Sequence, residues 1–179
     1  MTAFGPDTLA KLQAAATTSS RRRQHLNLHD SYEEPCQRFL NALHADSYIR
    51  PHRHTLDPKE ELLVAISGAL ALLTFDEAGM IATIVPFSTE AHWRRGAPFG
   101  VRVSPLTWHS VVPLTDQAIL LEVKAGPFDP QAAKEPALWA PDEGNAEAAQ
   151  SYLRDLRRTA LRSDAVRDQL ARSAIPDMI

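Results

Sequence analysis

The sequence predicts a single mainly-β domain, a sandwich or barrel of short strands with helices at both ends, and three observations carry that reading. The chain has 179 residues, which suits one domain with some length left for terminal helices. Its 13 prolines outnumber its 7 glycines and fall mostly after position 50, where short apolar runs alternate with turns, a punctuation that long helices do not tolerate. Hydrophobic residues at 44% and charged residues at 23% fit a globular chain with a buried core and exclude a disordered one.

Taken in order, Pro6 and Asp7 open a short amphipathic helix to about Thr17, with Leu9, Leu12 and Ala16 at helical spacing. Residues 17–23 form a polar, basic connector. The period-two run His25, Leu26, Asn27, Leu28, His29 predicts an edge strand. Pro35 suits a first helical position, and Cys36, Phe39, Leu40 and Leu43 share an i, i+3, i+4, i+7 face, so a second helix is expected to end near Asp46. Strands follow at Glu61–Ser67, Ala69–Phe75, Met80–Phe87, Gly100–Val103, Ser110–Leu114 and Ala118–Lys124, with a hairpin loop over Asp76–Gly79. Residues 88–98 read as an irregular excursion. After a proline-punctuated arm from Gly126 to Glu143, residues 146 to about 173 carry Ala, Leu and Arg at helical spacing. The expected division is an N-terminal helix and edge-strand arm over 1–47, a barrel over 48–125, and a C-terminal arm with helices over 126–179. The strands at 61–67 and 69–75 are apolar on both faces, so the terminal helices or a second copy of the chain must cover them.

A net charge of −3 supplies no global field for nucleic acid or an anionic membrane, and no helix-turn-helix or aromatic-basic platform is visible. The arginines of the C-terminal helices interleave with Asp155, Asp164 and Asp168, as on a solvated face. The longest apolar stretch, 62–66 and 69–73, is too short and too interrupted for a membrane span, and Arg21, Arg22 and Arg23 are followed by no signal-like apolar segment. A cytoplasmic location is expected. The single cysteine, Cys36, can form neither an internal disulfide nor a thiolate metal site alone, so any metal must be held by histidines and carboxylates.

Such residues recur at suggestive spacing. If the segment from Tyr48 is extended, Tyr48, Arg50, His52 and His54 share one face and point inward, which presents two imidazoles to one ion. Glu61 heads an apolar strand with six residues between it and Gly68, and a buried carboxylate there is costly unless a cation pairs with it. Its neighbour Glu60 would face the other way, and both glutamates could instead be solvated strand ends. His109, after the stiff turn Ser104-Pro105-Leu106-Thr107-Trp108, could complete the set from the opposite side of the barrel. Three histidines and a carboxylate suit one divalent Fe, Mn, Ni or Zn ion with positions left open.

These residues resemble the cupin superfamily, whose first motif has His-x-His, then Glu, six residues and Gly, and whose second has Pro-x-Gly-x-x-His. His52-Arg53-His54, Glu61 and Gly68 match the first with a slightly longer gap before the glutamate. The second departs, with Leu106 where glycine is expected, Ser104 where proline is expected and Pro105 displaced by one. Over about residues 21–143 the chain is similar to the WbuC-type cupin fold metalloproteins. That likeness runs through Arg23, Asn27, His29, Gln37-Arg38, Asn41, Ser47-Tyr48-Ile49, Pro51 to His54, Phe75-Asp76, Gly79, Trp108-His109, Glu122 to Pro130 and Trp139-Ala140-Pro141. The resemblance implies a cupin double-stranded β-helix, or jelly-roll, barrel with a bound metal, and an association with surface polysaccharide (O-antigen) gene clusters. It implies no particular reaction.

An ion on three neutral histidines and one carboxylate leaves a local charge of +1, which favours an anionic or bidentate oxygen ligand such as a sugar or sugar acid. Arg50 could bind the far end of that anion or form a structural ion pair. Tyr48 is expected at the core or rim of the ligand site, and Asn27 and His29 either cover its mouth or belong to a plain edge strand. Two functions stand: a metal-dependent cupin enzyme of isomerase, epimerase or dioxygenase type, or a non-catalytic module sensing a sugar or a metal. The expected partners are a small-molecule ligand and a second copy of the chain in a homodimer, without nucleic acid or membrane.

Overall fold

The computed structural model describes residues 2–89, 98–131 and 134–171, so the middle of the excursion expected at 88–98, with His92, and the end of the last helix, with Arg172, lie outside the described residues. Ten strands form two five-stranded antiparallel sheets. The first runs β1 (Arg23–Asn27), β2 (Cys36–His44), β9 (Gln117–Ala125), β4 (Glu61–Ser67) and β7 (Gly100–Val103). The second runs β10 (Glu135–Pro136), β3 (His52–Arg53), β8 (Trp108–Pro113), β5 (Ala69–Phe75) and β6 (Ile81–Ser88). Apart from the hairpins β1–β2 and β5–β6, every connection passes from one sheet to the other, which is the winding of a double-stranded β-helix.

Both hairpin-like reversals flanking β5 are set by local chemistry. Gly68 has φ +75 between β4 and β5, and a Cβ there would stand 2.5 Å from the carbonyl oxygen of Gln117. In the β5–β6 loop the Asp76 carboxylate accepts the backbone N–H of Ala78 (2.9 Å) and Met80 (2.8 Å), while Gly79 takes φ +84.

Three apolar layers hold the sheets. Between them pack Leu43, Leu63, Leu70, Leu72, Phe87 and Leu120. Outside the second sheet, Leu73, Phe75 and Val112 meet Leu153 and Leu156 of α2 (Ala146–Arg162), beside the short α3 (Asp164–Ala171). Outside the first, Leu12 and Ala16 of α1 (Pro6–Thr18) cover Leu40, Ala42 and Ile119. The terminal helices therefore cover the outer face of β5. That of β4 keeps Leu62 at 44% exposure.

The first strand starts two residues earlier than expected, the arm after Gly126 contributes the short β10, and one element differs in kind. The segment read as a second helix is the strand β2, paired along its whole length with β9. Its Leu40 and Ala42 face α1 while Leu43 faces the barrel interior, so apolar residues fall on both faces and imitate a helical stripe. No helix among the described residues is long and apolar enough to cross a membrane.

Candidate metal centre

The short strand β3 positions the site. His52 stands directly across from His109 of β8, with ring centroids 4.5 Å apart, and His54 lies 5.4 Å from the first ring and 5.8 Å from the second. One nitrogen of each of these three histidines falls within 4.8 Å of the others. His109 is thus a neighbour of His52 on the adjacent strand rather than a residue from the opposite side. Glu61 is the group that reaches across, from β4 in the other sheet. It is 3% exposed, whereas Glu60 faces outward toward Arg102.

Two backbone carbonyls fix how the imidazoles point. Nδ1 of His52 lies 2.9 Å from the Arg50 oxygen and Nδ1 of His109 lies 2.8 Å from the Thr107 oxygen. A carbonyl only accepts, so each Nδ1 carries a proton and each Nε2 is the ligating nitrogen. The Glu61 carboxylate then brings Oε1 to 3.0 Å from His54 Nε2 and Oε2 to 3.2 Å from His109 Nε2. A neutral His109 would oppose a lone pair to a carboxylate oxygen. The contact requires a positive charge at Nε2, supplied by a second proton or by a cation between the two groups. Donors at right angles on one ion, each at about 2.1 Å, are about 3 Å apart, the separation found here. The three histidines therefore form a group that could hold a metal ion, with the Glu61 carboxylate set against two of them.

The electrostatics are tightly coupled. Burial opposes ionisation of Glu61, but hydrogen bonds from His109 and His54 and the charge of Lys124 hold its carboxyl well below the usual range. Burial and the charge of His109 push His52 far below the ordinary imidazole value, which keeps it a neutral ligand. For His109 burial works downward, and the bond and charge of Glu61 outweigh it and raise the value. Lys124 Nζ bridges Glu61 (3.1 Å) and Glu122 (2.9 Å). Burial and the charge of Glu61 push the Glu122 carboxyl up to about 7, against the opposing effect of Lys124.

These groups line a cavity of about 220 Å³, whose remaining wall includes Arg21, Arg23, His25, Phe39 and Lys134. Glu122 and Lys124 were not anticipated as site residues. Their signal was a pair of opposite charges two apart in the otherwise apolar run Ala118 to Ala125, which puts both on the barrel-facing side, where Glu122 lies opposite Leu63 and Lys124 opposite Glu61.

Tyr48 and Arg50 do not share the inward face of His52. The Tyr48 hydroxyl donates to the Pro141 carbonyl (2.9 Å), and Arg50 binds the Ala137 carbonyl (3.0 Å) and the Asp142 carboxylate (2.8 Å), so both pack against the C-terminal arm. Strand geometry begins only at His52, after Pro51, and side-chain parity does not extend upstream of it. Asn27 and His29 line a smaller recess of about 110 Å³, which shares His25, Phe39, Lys124 and Phe128 with the main cavity. The departure from the second cupin motif has a structural counterpart: Leu106 adopts φ +62, the left-handed conformation that suits the motif's glycine.

The family described as a domain of unknown function, DUF6016, matches residues 4–86, a span that includes His52, His54 and Glu61. No curated protein matches the chain. Among solved structures, protein SO0799 from Shewanella oneidensis has a TM-score of 0.52 at 11% identity, covering 78% of this chain and 87% of its own. A cupin 2 conserved barrel domain protein from Salinispora arenicola CNS-205 has a TM-score of 0.45 at 18% identity, over 74% of this chain and 93% of its own. An uncharacterized conserved protein with a double-stranded β-helix domain from Klebsiella pneumoniae has a TM-score of 0.47 at 15% identity, over 66% and 82%. These likenesses concern the fold alone. By its winding the chain has a cupin-like double-stranded β-helix fold, and its cluster of three histidines is a group able to hold a metal.

Proposed function

We propose that this protein is a WbuC-type cupin metalloprotein that holds one divalent ion on His52, His54, His109 and Glu61. There it acts on a small, anionic, oxygen-rich substrate, a sugar or sugar acid of surface polysaccharide metabolism. The observation that carries the ion is the pinning of His52 and His109 through Nδ1, which leaves Nε2 of His109 facing a carboxylate oxygen at 3.2 Å. The anionic substrate is supported by the cations around the cavity, Arg21, Arg23, Lys124 and Lys134. When bound, the ion would act as a Lewis acid toward a substrate hydroxyl or carboxylate. Lys124 bridges Glu61 and Glu122 and offsets part of their charge, and Leu63, Val111 and Leu120 supply an apolar part of the cavity wall.

The test is elemental analysis of the purified protein beside a His52→Ala, His54→Ala double variant. About one ion per chain is expected in the wild type and close to none in the variant. Equal metal content in both would overturn the ion site. Turnover or oxygen uptake with a panel of sugars and sugar acids, after loading with Fe(II), Mn(II) or Zn(II), then separates an enzyme from a sensor.

A further inference from the structure

The recess beside the main cavity is built from pieces that the ion site does not use. Its outer wall is the loop 28–35 stitched to the loop 126–129: Phe128 N–H donates to the Tyr32 carbonyl (2.8 Å), and Gly126 N–H donates to the Pro35 carbonyl (2.8 Å). Gln37, only 2% exposed, donates from Nε2 to the carbonyls of Glu34 (2.9 Å) and Tyr32 (3.2 Å), which fixes the loop that carries Tyr32. The consequence is a rigid aromatic wall. Tyr32 and Phe128 stand 5.1 Å apart between ring centroids, and Tyr32 remains 51% exposed although its backbone is held on both sides.

His29 adds a polar contact to this wall. It is 7% exposed, and its Nδ1 receives the Arg38 backbone N–H at 3.0 Å. Nδ1 also lies 2.8 Å from the Arg38 carbonyl, an oxygen that already accepts from the Leu28 N–H. In either tautomer Nε2 is a buried polar atom with no hydrogen-bond partner among the described residues. Closed off from solvent, this ring stiffens the wall from behind, and the polar groups open to a ligand are those of Asn27 and Lys124. The exposed carboxamide of Asn27 lines the same recess, and Lys124 stands on the boundary with the main cavity.

We infer that the recess of Asn27, His29, Tyr32 and Phe128 is a second subsite, and that the substrate has two parts. An acidic, oxygen-rich head lies in the histidine cavity and a hydroxylated ring lies in the recess. A pyranose ring matches these walls because it presents an apolar face to Tyr32 and Phe128 and hydroxyl groups to Asn27 and Lys124. A purely apolar ring would leave the Asn27 carboxamide without a partner in the recess. The recess has half the volume of the cavity, about 110 against 220 Å³, and shares a wall with it, so one molecule can occupy both. This inference rests on the reading of the main cavity as a sugar-acid site.

The experiment is calorimetric titration of the metal-loaded full chain with gluconate, an acid head alone, and with lactobionate, the same head carrying a galactose ring. Lactobionate is expected to bind about ten-fold more tightly. That ratio should fall toward one in Tyr32→Ala, whose side chain is half-exposed, and should fall in part in Asn27→Ala. Equal affinity for the two acids, or a ratio unchanged in Tyr32→Ala, would overturn the subsite. Metal content of the same wild-type preparation keeps the two readings apart. A metal-bearing protein that binds both acids equally condemns the recess alone, whereas a metal-free one that binds neither condemns the cavity reading with it.

Discussion

Along β4 the inward positions run Glu61, Leu63, Ala65, and along β9 they run Lys124, Glu122, Leu120, Ala118, so each strand passes from a charged end of the barrel to an apolar one. The apolar end gains its stability from packing that needs no partner of special chemistry: Leu70 and Phe87 are 0% and 1% exposed in a layer shared by both sheets. The charged end is different. Glu61 is tolerable at 3% exposure only because Lys124, His54 and His109 surround it, and removing any one of them leaves the others buried and uncompensated. One barrel can thus divide its interior, with packing at one end supporting a charge cluster that packing alone would reject.

The sharpest way to break this comparison is at the apolar end. Leu70→Ala should lower the free energy of unfolding by about 3 kcal/mol in urea titration, with metal content per folded chain unchanged. A parallel loss of metal would show that the two ends are not separable. Next in size is removal of the ion. Chelation should cost about 2.7 kcal/mol of stability relative to protein in a hundred-fold excess of free ion over its dissociation constant, read as a fall in Tm. The His52→Ala, His54→Ala variant should show no such fall.

Smaller effects sharpen the edges of the charged end. Arg23 donates to the Tyr48 carbonyl (2.6 Å) and to the Glu143 carboxylate (2.7 Å), tying β1 to the C-terminal arm. Burial works against the charged form of Glu143, but Arg23 outweighs it and holds the carboxyl below the usual value. A depressed carboxyl contributes stability above its unfolded value of about 4.3 and loses it as the pH falls through the folded one. Glu143→Gln should therefore be less stable by about 1 kcal/mol at pH 7, a modest figure because the carboxylate side chain is 30% exposed. The difference should close as the pH is lowered past about 4. The smallest effect has the opposite sign. Leu106→Gly, at the turn leading to His109, should gain about 0.5 kcal/mol, since relief of a left-handed leucine exceeds the added freedom of the unfolded chain.

Much of this was legible in the residues themselves. The bounds of β4, β5 and β7 coincide with apolar runs ended by Gly68, Asp76 and Ser104, because turns there require residues that strands avoid. His52 and His54 follow from parity along an extended segment, and Glu61 from its place at the head of a buried strand. Two features were hidden. In β2 the outward face is covered by α1, so the pattern lost the alternation that marks a half-exposed strand. At Tyr48 and Arg50, a local parity rule was carried through Pro51 into a segment whose course is set by the C-terminal arm, a contact about ninety residues away in sequence. The charges of Glu122 and Lys124 were visible, but their meaning depended on β9 lying beside β4.

The carbonyl bonds at Nδ1 of His52 and His109 have a kinetic consequence. Each ring gives up its rotational freedom when the chain folds, not when an ion arrives, so the entropy of ordering the donors belongs to the folding reaction. An incoming ion meets a cage already assembled. Its capture should be limited by dehydration, and its escape should be slow, because neither of these two rings can swing aside without first abandoning a backbone oxygen.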